Sequence, residues 1–217
     1  MMTNLFSLFD PCTGLFSLNW LSTVIFLILI PYNFWLLPNK MLFIFNKIMK
    51  ILDKEMNSLM KYKGTNMMML SLFMFILINN LMGLLPYVFT SSSHLIFSLT
   101  LSLPIWMSFM IFGWLKKTNH MLCHLVPLGT PKILMPFMVL IETVSNIIRP
   151  GSLSVRLTAN MIAGHLLMSL LGNNTTNFSM MMILMAILII LMMFELAVSI
   201  IQAYVFLTLS TLYSSEI

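Results

Sequence analysis

The chain has 217 residues, of which 59% are hydrophobic and only 8% charged, with a net charge of +5. An ordinary soluble domain carries about 25% charged residues, so a soluble enzyme, a water-covered globule and a disordered tail are all poor readings. Eleven Lys and Arg are too few to track a phosphate backbone, which leaves an integral membrane protein.

The first 39 residues contain no Lys or Arg. Neither a secretory signal nor an Arg-rich presequence fits that stretch, so the chain is expected to be made beside its membrane. Residues 15–37 are apolar enough for a first span, with Pro31 placed to kink or end it. Cys12 and Cys123 lie far apart and give no disulfide framework.

Residues 40–61 follow a different pattern. Lys47, Lys50, Lys54, Asn57 and Lys61 recur at intervals of 3, 4, 3 and 4, while Met41, Phe45, Ile48, Leu52, Met56 and Leu59 fill the opposite face. The spacing predicts an amphipathic helix in the headgroup plane, with Asn39 as N-cap and the lysines near anionic lipid. A solvated helix in a loop is the alternative.

Residues 67–89 and 95–115 form the second and third spans, the latter with Pro104 inside it. Their apolar runs are continuous and do not alternate, so they read as helices rather than strands. Six lysines, from Lys40 to Lys63, precede the second span, and Lys116, Lys117 and Lys132 follow the third. Three crossings put both groups on one side, and the positive-inside bias puts the N-terminus on the other. Trp20, Trp35, Trp106 and Trp114 lie mostly near span ends, as interfacial anchors do. His94 stands at a span boundary and is expected to face the interface. His120, Cys123 and His124 invite a metal reading, but no fourth ligand has suitable spacing, so none is expected. No phosphate-binding glycine loop is present, so no bound nucleotide is expected, and no cofactor is assigned.

Residues 133–171 and 178–213 are long apolar runs flanking the polar turn 172–177. At 1.5 Å per residue they would reach about 58 and 54 Å, against a hydrocarbon core of ~30 Å. A mean tilt of ~20° cannot absorb that excess. Either each run breaks in two, as Pro150–Gly151 would allow, or the pair forms a strongly inclined hairpin.

The same third of the chain holds Glu142, Arg149, Arg156, His165 and Glu195. An ionisable group in mid-membrane costs at least about 2.5–3.5 kcal/mol, and such groups usually mark an ion pathway. Arg149 could equally snorkel or close a structural ion pair. Arg156 and Asn160 are four apart and share a helix face. His165, nine residues on from Arg156, lies on the opposite face. Glu195 and Gln202 share a face of the last helix. The pairs Arg156/Gln202 and His165/Glu195 have sequence midpoints of 179 and 180, so one antiparallel register would bring each pair level.

Ser154 to His165, Ser-Val-Arg-Leu-Thr-Ala-Asn-Met-Ile-Ala-Gly-His, closely resembles the signature of subunit a of F-type ATP synthase in its mitochondrial form. Asn80-Leu81-Met82-Gly83-Leu84-Leu85-Pro86, Pro127-Leu128-Gly129-Thr130-Pro131, Ile141-Glu142-Thr143, Arg149-Pro150 and Ile201-Gln202-Ala203-Tyr204-Val205-Phe206 match in order. The resemblance covers essentially the whole chain. The opening Met-Met-Thr-Asn-Leu-Phe-Ser and Phe9-Asp10-Pro11 resemble the arthropod branch.

The resemblance implies an all-α polytopic membrane protein. An upright span would precede a matrix-surface amphipathic helix, a tilted pair and a near-horizontal hairpin wrapping a rotor ring of c subunits. It also implies a proton-translocating stator subunit of the mitochondrial inner membrane, with its N-terminus in the intermembrane space and its lysines in the matrix. The partners would be the c-ring, other stator and membrane subunits and the bilayer, with no nucleic acid. ATP chemistry would occur elsewhere, so the chain would not be an enzyme on its own. Arg156 is similar to the essential arginine that faces each passing c-subunit carboxylate. His165 and Glu195, with Asn160 nearby, match the intermembrane-space half-channel, Glu142 matches the matrix half-channel, and Gln202 matches a glutamine close to the arginine. The site of Arg149 varies in the family. Two other readings are a stand-alone ion transporter, for which no internal repeat is visible, and a structural subunit of a respiratory complex.

Overall fold

A computed structural model describes residues 5–12, 16–31, 35–60, 63–126, 129–173 and 178–216. Lys61, the Pro127-Leu128 pair and positions 174–177 of the polar turn lie outside these residues. The helices are α1 (Ile25–Leu29), α2 (Lys40–Leu59), α3 (Lys63–Gly83), α4 (Leu95–Lys116), α5 (Thr118–His124), α6 (Met135–Asn173) and α7 (Phe178–Ser215). Short 3-10 turns cover Leu5–Phe9, Leu18–Val24 and Ser91–Ser93. The described residues contain no strand, and the expected all-α class holds. Helices α3, α4, α6 and α7 are long and apolar enough to cross a membrane.

The segment expected to be a first span is shorter than 15–37. It consists of seven residues of 3-10 helix and five of α-helix, about 22 Å in all against a ~30 Å core. Ile30 is extended, at φ −66° and ψ 120°. It precedes Pro31, and proline drives the residue before it out of the helical region.

Helix α2 ends at Leu59 and uses Asn39 as its N-cap in backbone only, because the Asn39 side chain makes no capping bond. Its C-terminal half buries Leu52 and Met56 in the protein, while Phe43, Ile44, Ile48 and Ile51 stay exposed. Helix α3 starts and ends earlier than the expected 67–89. Pro86 cannot donate to a continuing helix and restrains Leu85, so the helix closes at Gly83. The chain then turns through Tyr87, whose φ of +67° is uncommon for a bulky residue. His94, just before α4, is half-buried. Its ring stacks on Phe89 at 5.2 Å and meets Trp20 at 5.2 Å, because the Thr90–Ser93 turn folds inward and is buried.

Helices α6 and α7 run unbroken for 39 and 38 residues. Pro150 lies inside α6 without ending it. Neighbouring helices re-satisfy the groups that a membrane proline frees, and Pro150 is buried against them. Of the two alternatives left open by length, the unbroken one is found. A helix of about 58 Å fits a ~30 Å core only at a tilt of about 60°.

Helix α3 packs along α7, α4 along α6, and α6 on α7. Their shared core joins Leu52 and Met56 of α2, Phe73 and Ile76 of α3, Ile105 of α4, Leu153 and Leu157 of α6, and Ala203, Phe206 and Leu207 of α7. Helix α7 also buries Ser199, Ser210 and Thr211. Small side chains let membrane helices approach closely, and Ser210 Oγ reaches Met69 Sδ of α3 at 3.6 Å.

Candidate functional site

The buried face of α6 carries Leu153, Ser154, Leu157, Thr158, Met161 and Gly164. This three-four spacing leaves Arg156 on the outward face, among exposed Ser152, Val155, Ala159 and Ala163. The Arg156 guanidinium forms none of the salt bridges found among the described residues. Its stem lines a narrow crevice with Leu153, Leu157, Gln202, Val205 and Phe206. Arg156 and Gln202 are therefore brought level, as their shared sequence midpoint requires. Asn160 sits one turn further along α6, half-buried and outside this crevice.

Glu195 of α7 is buried, at 5% exposure. Its carboxylate lies directly against Gly164 of α6, where any Cβ would collide with it. Glu195 thus lands beside His165, within one residue of the expected register. The two side chains share no hydrogen bond among those found for the described residues. His165 instead turns its ring edge to Phe9, with centroids 6.3 Å apart. It lines an open cleft of about 390 Å³ with Phe9, Gly83, Tyr87, Thr90 and Met192.

Several buried polar atoms near this cleft have no protein partner among the described residues. They are His165 Nε2, His94 Nε2, Ser92 Oγ and both side-chain polar atoms of Asn80. Buried polar groups are rarely left unpaired, and ordered water is the usual partner where protein offers none.

Glu142 lies at the other end of α6. A cavity of about 450 Å³ is lined there by Trp106 and Trp114 of α4, His124 of α5, Glu142, Asn146 and Arg149 of α6, and Tyr213 and Glu216 at the end of α7. Arg149 Nη2 stands 3.9 Å from Glu142 Oε1. Its Nη1 donates to Glu216 Oε2, and its guanidinium lies 5.0 Å from the centre of the Tyr213 ring. Of the two readings of Arg149, the ion pair is the one found. Among the described residues, no three His, Cys, Asp or Glu converge as metal ligands. The rings of His120 and His124 are nevertheless close, with centroids 4.5 Å apart.

Sequence reasoning named Gly164 and Asn80 only inside matched motifs, and gave neither them nor Glu216, Tyr213 and Ser92 a role. Gly164 had a signal, since glycine inside a helix costs about 1 kcal/mol relative to alanine and so calls for a packing reason. Glu216 had none, because its partner Arg149 is 67 residues away. Chemically, the site has two recesses, each with groups able to carry a proton. A permanent cation stands between them along α6.

Comparison with known proteins gives the family. The family described as "ATP synthase A chain" matches residues 15–215. Over the full length of both chains, the sequence is 56% identical to ATP synthase subunit a of Anopheles quadrimaculatus. It is 55% identical to that of Drosophila melanogaster and 54% to that of Locusta migratoria, again over the full length.

Proposed function

This chain belongs to the ATP synthase subunit a family, and we propose that it passes protons between two half-channels and a rotor ring of c subunits. We place it in the mitochondrial inner membrane, with its lysine-bearing loops in the matrix. The observation that carries this reading is Arg156, a guanidinium on an outward apolar face with no salt-bridge partner in the described residues. A cation in hydrocarbon is costly unless it is paired. The partner that fits is a carboxylate arriving from a neighbouring chain.

The half-channels are the two recesses. The cleft at His165, with Glu195 behind it, admits protons from the intermembrane space. The unpaired polar atoms of Asn80, Ser92 and His94 support a wet approach to it. The cavity at Glu142 releases protons to the matrix. Along α6, Glu142 and His165 stand about 35 Å apart, with Arg156 between them. On a steeply inclined helix that separation is largely lateral. A proton entering at one recess must then ride the ring to reach the other.

The residue types suit these tasks. Glu and His take up and release protons. A guanidinium does not deprotonate in proteins, so Arg156 blocks direct passage and favours the ionised form of the rotor carboxylate beside it. Each proton crossing 100 mV delivers about 2.3 kcal/mol. The direct test is Arg156→Lys in the assembled enzyme. Coupled proton pumping is expected to be lost although the charge is kept, because the planar five-donor fork is gone. Normal ATP synthesis by that variant would overturn the reading.

A further inference from the structure

The cavity at Glu142 is also lined by His124, an imidazole with no part in the proton path proposed so far. His124 ends the short helix α5 directly after the lysine pair Lys116–Lys117. It is exposed, yet it lines the same cavity as Glu142. We propose that His124 is the proton-exchange station at the mouth of the matrix half-channel, passing protons between bulk water and Glu142. The proposal rests on the reading of that cavity as the matrix half-channel.

The other charged or titratable groups on the cavity wall are differently engaged. Arg149 cannot release its proton. Glu142 and Glu216 both pair with Arg149, and Tyr213 lies beneath its guanidinium. Helix α4 contributes only uncharged side chains, among them Trp106 and Trp114. On α5 itself, the neighbouring titratable group is His120, whose ring touches that of His124. His124 is therefore the lining imidazole, a group that can both accept and donate a proton through its two ring nitrogens. At about 30 Å³ per water, the cavity has room for on the order of fifteen molecules. A water chain can bridge the two residues.

The need for such a station follows from supply. At pH 7 free protons are at about 10⁻⁷ M, so even diffusion at ~10⁹–10¹⁰ M⁻¹ s⁻¹ delivers only about 10²–10³ per second. That is the range of ordinary enzyme turnover. When ATP hydrolysis drives the ring backwards, protons must be gathered from the matrix side. A solvent-facing imidazole at the mouth draws on the buffer as well as on free protons.

The experiment uses the whole enzyme in vesicles with the soluble head outward. ATP is added in weakly buffered medium, and the initial rate of proton uptake is measured. His124→Gln is expected to slow uptake about threefold to tenfold, and the ATP hydrolysis coupled to it in step. Free imidazole in the medium is expected to restore the rate, a response that a merely structural role would not give. A wild-type rate at low buffer would overturn the proposal, as would a slowed rate that imidazole leaves unchanged. Should His124→Gln fail to assemble, His124→Asn carries the same expectations. Glu142→Gln separates loss of the station from loss of the half-channel. If Glu142→Gln is slowed and His124→Gln is not, the station is wrong and the half-channel stands. If Glu142→Gln takes up protons normally, the half-channel reading itself fails.

Discussion

The carboxylate of Glu195 occupies the space that a side chain at Gly164 would need. This contact joins α6 to α7 at the level of His165 and sets the depth at which the buried acid sits. It also gives a reason for a glycine in mid-helix, where alanine would otherwise be preferred.

Gly164→Ala is therefore expected to impair proton entry without unfolding the protein. The added methyl must displace the Glu195 carboxylate, while helix propensity alone would favour the change by about 1 kcal/mol. Proton uptake driven from the intermembrane side should fall at least severalfold, with the subunit still assembled at wild-type levels. Unchanged uptake would show that the position of Glu195 does not matter to entry.

The two acids are expected to act on opposite half-reactions. Glu195→Gln should slow loading of the ring from the intermembrane side, and Glu142→Gln should slow release to the matrix. Both variants keep side-chain size and remove the exchangeable acid. Proton fluxes measured separately at the two faces distinguish them. A Glu142→Gln defect confined to the intermembrane side would contradict the assignment.

Arg149 holds the end of α7 in place through Glu216 and Tyr213. Both of its acidic partners are part-exposed, so the pairs contribute about 1 kcal/mol or less each to stability. Arg149→Leu is accordingly expected to leave the fold intact while loosening the last turn of α7. Faster amide exchange over residues 212–216, with little change elsewhere, is the expected outcome. Unaltered exchange there would mean that the pair does not hold the helix end.

Much of this arrangement was legible in the chain. Over-long apolar runs left two alternatives, a break in each or an inclined hairpin, and the nearly equal midpoints of 156/202 and 165/195 suggested a register for the latter. The structure brings Arg156 level with Gln202, and sets Glu195 one residue from His165. Other features left weaker traces. Helix α7 is apolar all round, so no periodic stripe marks the face carrying Ser199, Ala203 and Ser210. The early ends of the first span and of α3 follow from Pro31 and Pro86, whose effect on the preceding residue outweighs hydropathy. The contact of His94 with Trp20 and the Arg149–Glu216 pair each join distant segments. No local pattern announces those.

The central claim is that Arg156 is a barrier as well as a partner for the rotor carboxylate. It is tested most directly by passive proton flux through the membrane sector with the soluble head removed and the ring cross-linked to the stator. Wild-type vesicles should be tight under these conditions, because a proton cannot pass a fixed guanidinium without rotation. Arg156→Ala should leak, since the two recesses would then communicate without the ring turning. Vesicles of Arg156→Ala that stay as tight as wild type would contradict the barrier.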